Sequence, residues 1–305
     1  MAELEKLTMY VNGGRVEPVS GEYFESFNPF TGKPWAMVGR GGEADANRAV
    51  EAAKSALENP EWRDLNATQR GHLLRRLGDL AAEHSERLGA LEVKDNGKLI
   101  AEMGMQCQYL PQWYYYFAGL ADKIEGAVLP IDKPATFTYT LQEPLGVCAL
   151  ITPWNSPLLL LAWKLAPALA AGNTVVVKPS EFTSASTLAF ADLVEEAGFP
   201  KGVFNVITGF GKEVGEPLVV HPDVAKVAFT GGVLSGSHVY QQAAAGLKKV
   251  GLELGGKSPN IVFDDCNMEN AVKGAISGIF AATGQTCIAG SRLLVQKSIH
   301  DEFVE

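Results

Sequence analysis

Apolar residues recur at helical spacing across residues 43–57, where Ala46, Ala49, Val50, Ala53 and Leu57 form one stripe, and across 68–93, where Leu73, Leu77, Leu80 and Leu88 continue it. The early chain is therefore expected to be mostly helical. The aromatic run Trp113, Tyr114, Tyr115, Tyr116, Phe117 has no interleaved basic residues, so it predicts a helix packed into the core rather than a platform for stacking bases. Between Pro134 and Pro144, residues 137–141 alternate apolar with threonine or tyrosine, which predicts a short exposed strand or hairpin arm. Its open edge suits a partner subunit.

Beyond the arm, strand and helix patterns alternate. Runs at 147–152, 174–178 and 203–207 read as strands, and each is followed by a helical pattern, at 157–171, 184–197 and 212–220. A further strand at 224–230 leads to a helix containing 239–245, and short strands follow at 250–254 and 260–263. This alternation predicts the α/β class with a parallel sheet. Near the end, Ser298 reads as an N-cap before Ile299, Phe303 and Val304.

Composition narrows the function classes. A chain of 305 residues that is 47% apolar and 20% charged can bury a large core, and a net charge of −9 opposes the phosphate contacts that dominate nucleic-acid affinity. Cys107, Cys148, Cys266 and Cys287 form no C-x-x-C pair, which fits reduced thiols in a cytoplasm. The opening Met-Ala-Glu-Leu-Glu-Lys is acidic and lacks the basic and apolar regions of a secretory signal. The most apolar stretch, 158–171, is interrupted by Lys164 and Pro167 and is shorter than the roughly 20 residues of a membrane span, so it is expected to be a core helix. No metal site is expected, because His72, His84, His221, His238 and His300 show no ligand spacing.

Several segments carry candidate chemistry. The strand at 174–178 ends in Lys178, Pro179, Ser180, Glu181, a cation and a carboxylate at the edge where open α/β sheets bind ligands; the pair suits the hydroxyls of a ribose. Phe229 and Thr230 run into Gly231, Gly232 and, after three residues, Gly236, a turn that lets backbone N–H groups approach a pyrophosphate. The stretch from Gly209 through Gly211 to Gly215 is one residue too long for a dinucleotide fingerprint and is equally a plain turn. Ile151, Thr152, Pro153, Trp154, Asn155 and Ser156 close the first strand of the α/β series; the Asn155 amide there is either a turn residue or a donor to a developing oxyanion. Cys287 lies in Gly284-Gln-Thr286-Cys-Ile288-Ala-Gly, a small-residue segment in which an inert buried thiol is the ordinary reading. Glu253, between Leu252 and Leu254 and just before two glycines, raises that reading: an acid in an apolar strand is paired or functional, and apolar surroundings suit a carboxylate that must take a proton from water.

Taken in order and spacing, Thr-Pro-Trp-Asn155, Lys178-Pro-Ser-Glu181, Phe229-Thr-Gly-Gly, Glu253-Leu-Gly-Gly-Lys and Gly-Gln-Thr-Cys287 resemble the aldehyde dehydrogenase superfamily. Asn28-Pro-Phe-Thr-Gly32 and residues 116–126 fit the same family, as do the 34 positions from Glu253 to Cys287. The resemblance implies that Cys287 attacks an aldehyde, that Asn155 holds the oxyanion, and that Glu253 activates water against the resulting thioester. It implies cofactor contacts from Ile151 to Trp154, from Lys178, Ser180 and Glu181, from Gly211 and Gly215, from Phe229 to Gly232, and from Gly236 and Leu254. Ser156, Leu160, Trp163, Thr286 and Ile288 would line the substrate tunnel. NAD is the expected cofactor, with NADP open because relatives with the same Lys–Glu pair accept it.

On this resemblance, residues 1–126 and 144–254 are expected to form a Rossmann-like NAD-binding domain, 127–143 an oligomerisation arm of a dimer or tetramer, and 255–305 the beginning of a second, catalytic α/β domain. Three departures stand out. Gly232 replaces a serine common in relatives, Ser156 replaces an aromatic and suggests room for bulkier aldehydes, and the family's downstream Glu-x-Phe-Gly-Pro segment lies outside these 305 residues. Two other readings stay open: acyl transfer to coenzyme A or ester cleavage by the same cysteine, and an NAD-binding or assembly module with little turnover.

Overall fold

The computed structural model describes residues 4–305. Residues 1–3, the start of the acidic N-terminal stretch, lie outside the described residues. The chain opens with five strands, β1 (Glu5–Leu7), β2 (Met9–Tyr10), β3 (Arg15–Val16), β4 (Tyr23–Asn28) and β5 (Lys33–Gly39). The helices α1 (Glu43–Glu58), α2 (Pro60–Arg63), α3 (Ala67–Glu83), α4 (Ser85–Asn96) and α5 (Ile100–Leu120) follow. The helical reading of residues 43–93 is thus met, with two corrections: the strands before residue 40 carry no clear pattern in the sequence, and the stripe across 68–93 is two helices that part at His84. Of the aromatic run in α5, Tyr114 alone is fully buried, stacked at 5.8 Å on Phe190, while Tyr116 is exposed.

The arm is a two-stranded antiparallel ribbon of β6 (Val128–Leu129) and β7 (Thr138–Tyr139), with Val128, Phe137, Tyr139 and Leu141 exposed. After it come β8 (Val147–Ile151), α6 (Pro157–Ala170), β9 (Thr174–Lys178), α7 (Ala185–Glu196) and β10 (Phe204–Val206). A π-helical turn over Gly211–Gly215 opens into α8 (Glu216–Val220), so the pattern at 212–220 is only partly α-helix. The series closes with β11 (Val224–Gly231), α9 (Val233–Ala245) and β12 (Lys249–Leu254).

These strands form one seven-stranded sheet in the order β12-β11-β8-β9-β10-β2-β3. The five strands from β12 to β10 are parallel, and β2 and β3 extend the sheet antiparallel at one edge. Every residue of β8 and β9 is buried, which explains their uninterrupted apolar runs. Successive side chains alternate between two cores. Leu150, Val175 and Val177 pack with Leu77, Leu161, Leu165 and Phe190 on one face, and Val147, Ala149 and Val176 pack with Ala49, Val50 and Val227 on the other. Helices cover both faces, as a parallel sheet requires.

Residues beyond β12 form a small unit of β13 (Pro259–Val262), α10 (Met268–Phe280) and β14 (Arg292–Val295), with the two strands parallel. No residue of α10 is buried, and Ile261, Leu293, Leu294, Ile276 and Phe280 are exposed. The last helix, α11 (His300–Val304), follows a 3-10 turn at Lys297–Ile299 and has Ile299 rather than Ser298 at its N-cap; the Ser298 hydroxyl donates to Asp264 instead. Among the described residues, no helix is long and apolar enough to cross a membrane.

Candidate active site

The chain leaves β8 to build β9 and β10 on one side, then crosses to build β11 and β12 on the other. Where strand order reverses in an open α/β sheet, the loops after the carboxyl ends of the strands diverge and leave a crevice. That crevice is a cleft of about 800 Å³. Ile151 to Asn155 enter it from β8, Lys178, Ser180, Glu181 and Phe182 from β9, and Phe229 to Gly232 from β11; Gly211 and Gly215 of the π-helical turn close one side. The Thr152 amide donates to the Lys178 carbonyl at 3.1 Å, which ties the first two loops together.

One end of the cleft is built for a polyhydroxyl, anionic ligand. The Lys178 ammonium is buried and lies 3.2 Å from Glu181 Oε2. Burial lowers its pKa, and the neighbouring carboxylate works against that shift by favouring the cation. Beside this pair, α9 begins at Gly232 with Leu234 and Ser235 on the cleft wall. The first N–H groups of a helix have no intrahelical partner, so this end of the cleft presents donors and a positive dipole end to a phosphate. A methyl group at Gly232 would meet nothing within 4 Å, which leaves the entrance open.

The other end holds the thiol. Ala281–Gly284 is a 3-10 turn with Ala282 and Thr283 both at φ 55°, and it leads into Gln285, Thr286 and Cys287 on the cleft wall. Asn155 Nδ2 donates to the Gln285 carbonyl at 2.9 Å, two residues before Cys287. One N–H of that amide is thereby fixed, and the amide carries a second N–H to donate. The Gly255–Gly256 segment after β12 passes close behind: a Cβ at Gly256 would lie 3.2 Å from the Cys287 carbonyl, so a side chain here would push the Cys287 loop.

The model of the aldehyde dehydrogenase family matches residues 16–305, nearly the whole chain. The chain belongs to the aldehyde dehydrogenase family. A (Z)-2-((N-methylformamido)methylene)-5-hydroxybutyrolactone dehydrogenase of Acinetobacter baylyi is 50% identical, over 99% of this chain and 62% of that protein. The structure of betaine aldehyde dehydrogenase from Staphylococcus aureus in complex with NAD+ superposes with a TM-score of 0.95 at 43% identity, over 98% of this chain and 59% of that one. The NAD+ complex of an aldehyde dehydrogenase from Bacillus cereus gives 0.96 at 43% identity, over 98% and 61%. The chain thus spans about 60% of the length of these family members.

Within this family fold, most of the expected cofactor residues stand on the cleft wall: Ile151, Thr152, Pro153 and Trp154, then Lys178, Ser180 and Glu181, then Gly211, Gly215, Phe229, Thr230, Gly231, Gly232 and Leu254. Gly236 does not. It lies in the first turns of α9, where a Cβ would sit 2.5 Å from Leu254 Cδ2, so its smallness serves close packing of helix on strand rather than contact with a ligand. Of the residues expected to line a tunnel, Leu160 and Thr286 line the cleft; Ser156 is buried in the turn that caps α6, and Trp163 and Ile288 face outward.

Asn155 and Cys287 line the same cleft, with Asn155 bonded to Gln285 two residues before the cysteine, but Glu253 differs from expectation. It is exposed on the edge strand β12 and lies outside the cleft lining, not enclosed by apolar neighbours. Two lysines without a motif belong to this region. Lys164 of α6 donates from Nζ to Thr230 Oγ1 at 2.6 Å, and burial lowers its pKa to about 8 while Glu253 opposes the shift. Lys98, 2% exposed, donates to the Gln285 carbonyl at 3.4 Å. An interruption of an apolar helix by Lys164 was the one signal the sequence offered for either.

Proposed function

We propose that this chain carries the cofactor cleft and the nucleophile of an enzyme that oxidises an aldehyde to a carboxylic acid with NAD. The observation that carries the reading is the meeting of Asn155 and the Cys287 loop at the Gln285 carbonyl, at one end of a cleft whose other end holds the Lys178–Glu181 pair. The residues present fit a dinucleotide. Glu181 accepts from ribose hydroxyls, Lys178 donates to them, and the backbone N–H groups at the start of α9 take the pyrophosphate without help from a side chain at Gly232. The Glu181 carboxylate repels a 2′-phosphate and so favours NAD over NADP.

Cys287 Sγ bonds to the aldehyde carbon, and the negative charge on oxygen falls between the free N–H of the Asn155 amide and the Cys287 backbone N–H. When bound, the nicotinamide supplies the two-electron oxidation of that carbon, which leaves a thioester on Cys287. Glu253 takes a proton from a water that attacks the thioester, and the acid departs as the thiol is restored. Ser156, small and buried, leaves the Leu160 wall unobstructed for bulky aldehydes.

Residues 1–126 and 144–254 act as the NAD-binding domain and 255–305 as the start of the catalytic domain. The exposed apolar residues of the 127–143 arm seat a second copy of the chain in a dimer or tetramer. Four free cysteines accord with work in the cytoplasm.

Absorbance of the reduced nicotinamide, followed with NAD or NADP and a panel of aliphatic and aromatic aldehydes, tests the reading. Turnover with NAD that vanishes in Cys287→Ala supports it. Turnover that persists in Cys287→Ala refutes the assigned nucleophile, and NAD binding without turnover in either protein reduces the chain's own function to cofactor binding.

A further inference from the structure

The segment leading to Cys287 is held from an unexpected direction. Ala282 and Thr283 at φ 55° are followed by Gly284 at φ 71°, three successive residues in the left-handed region. For the two with side chains this conformation is disfavoured, so something outside the segment must maintain it. Two side chains do so, Lys98 from the connection between α4 and α5 and Glu102 from the first turn of α5. Glu102 Oε1 accepts the Ala282 N–H at 3.0 Å, and Lys98 Nζ donates to the Gln285 carbonyl at 3.4 Å.

Both groups are committed to this contact. Lys98 is buried, its backbone N–H is held by Asn96 Oδ1 at 2.9 Å, and its ammonium lies within electrostatic reach of Glu92, Glu102 and Cys287. Glu102 Oε2 is buried without a hydrogen-bond partner among the described residues, so the carboxylate is anchored by Ala282 and by the neighbouring charge. The Gln285 carbonyl also accepts Asn155 Nδ2 at 2.9 Å. A single carbonyl therefore links the lysine, the nucleophile loop and the amide that faces the cleft.

We propose that Lys98 and Glu102 are positioning residues for Cys287, clamping residues 282–285 and, through the shared Gln285 carbonyl, setting the direction of the Asn155 amide. Neither touches the reacting atoms. The clamp acts by fixing where the thiol stands relative to the second N–H of Asn155. This rests on Cys287 being the nucleophile.

The test compares two reactions of the same thiol. Acylation by p-nitrophenyl acetate forms an Sγ–C bond, expels p-nitrophenolate and passes through an oxyanion; alkylation by iodoacetamide displaces iodide with no oxyanion to stabilise. The ratio of the two rates at Cys287, assigned by peptide mass spectrometry with Cys266 as internal control, reads the alignment of thiol and amide. A merely structural loosening changes exposure for both reactions and leaves the ratio alone.

In Lys98→Met and Glu102→Met the ratio falls about tenfold, a change of about 1.4 kcal/mol in relative barriers. In Glu102→Gln, which keeps an acceptor for the Ala282 N–H, most of it returns. A ratio within twofold of the parent in both Met variants overturns the proposal. Should Lys98→Met fail to fold, the Glu102→Met and Glu102→Gln pair decides alone. If acylation of the parent chain maps to Cys266 and not Cys287, the nucleophile reading fails and the clamp with it; acylation at Cys287 that is indifferent to the clamp overturns only the clamp.

Discussion

Glu92 is a carboxyl sealed inside the protein, at 1% exposure, and it accepts the Leu158 N–H at 2.8 Å where α6 begins. Burial raises its pKa from 4.5 to about 7, against the opposing pull of the Leu158 hydrogen bond and the Lys98 charge. A carboxyl whose pKa is higher in the folded than in the unfolded chain makes the folded state the stronger proton binder between those two values. Stability then falls as pH rises through that window and stays at the lower level above it. A shift from 4.5 to about 7 corresponds to about 3 kcal/mol, of which about 2–3 kcal/mol is lost between pH 5 and pH 8.5.

Glu92→Gln isolates this contribution. The amide oxygen still accepts from Leu158, and the charge that must be buried at high pH is gone. Urea unfolding at half-unit steps from pH 5 to 8.5, for the parent and the variant, gives the difference in stability as a function of pH. Asp95, whose pKa burial raises to about 6, tilts both proteins the same way and largely cancels in the difference. The variant should gain on the parent by about 2–3 kcal/mol across the range, with the change concentrated near pH 5–7. A flat difference would mean that the Glu92 pKa is the same in the folded and the unfolded chain. A difference of the opposite slope would mean that Lys98 outweighs burial, and either result refutes the reasoning.

Cys287→Ala should remove aldehyde-dependent reduction of NAD in the absorbance assay while NAD binding, followed by calorimetry, stays. Glu181→Ala should weaken NAD about tenfold, roughly 1.4 kcal/mol, because it removes a ribose acceptor and leaves the buried Lys178 ammonium unpaired; an unchanged Kd would detach this pair from the cofactor. Gly202→Ala should destabilise the chain by more than about 2 kcal/mol in chemical denaturation, since Gly202 has φ +82° and a Cβ there would lie 2.6 Å from the Ala52 carbonyl. Phe137→Ser combined with Tyr139→Ser should shift the mass seen by light scattering toward the monomer, and an unchanged mass would remove the arm from the subunit contact.

The parallel sheet was readable because β8 and β9 are buried on both faces and present unbroken apolar runs bounded by turn residues. The strand ends that carry the site were readable for the same reason: Asn155, Lys178 and Gly231 follow the last apolar residue of each run. The N-terminal strands were not. Met9–Tyr10 and Arg15–Val16 are two residues long, too short for any period, and β2 exists by pairing Tyr10 with Val206 far along the chain. The break at His84 was hidden because Leu80 and Leu88 lie eight positions apart, close to two helical turns, and so keep one face across the interruption. Lys98 and Glu102 left no trace because their partners are a backbone carbonyl and a backbone N–H some 180 positions downstream, and a side-chain motif cannot express such a contact.

Glu253 departs from the apolar enclosure that its sequence neighbours predict. An acid inside an apolar run is enclosed only where neighbouring strands cover it; β12 is the last strand of its sheet, and residues on such a strand are covered on fewer sides. Leu252 and Leu254 pack against one core, and strand alternation turns Glu253 to the opposite face. Thr230 is its register partner on β11, and the Thr230 hydroxyl accepts from Lys164, which brings hydroxyl, ammonium and carboxylate into one neighbourhood. The acid's charge is thus opposed by a cation that burial is itself pushing toward neutrality.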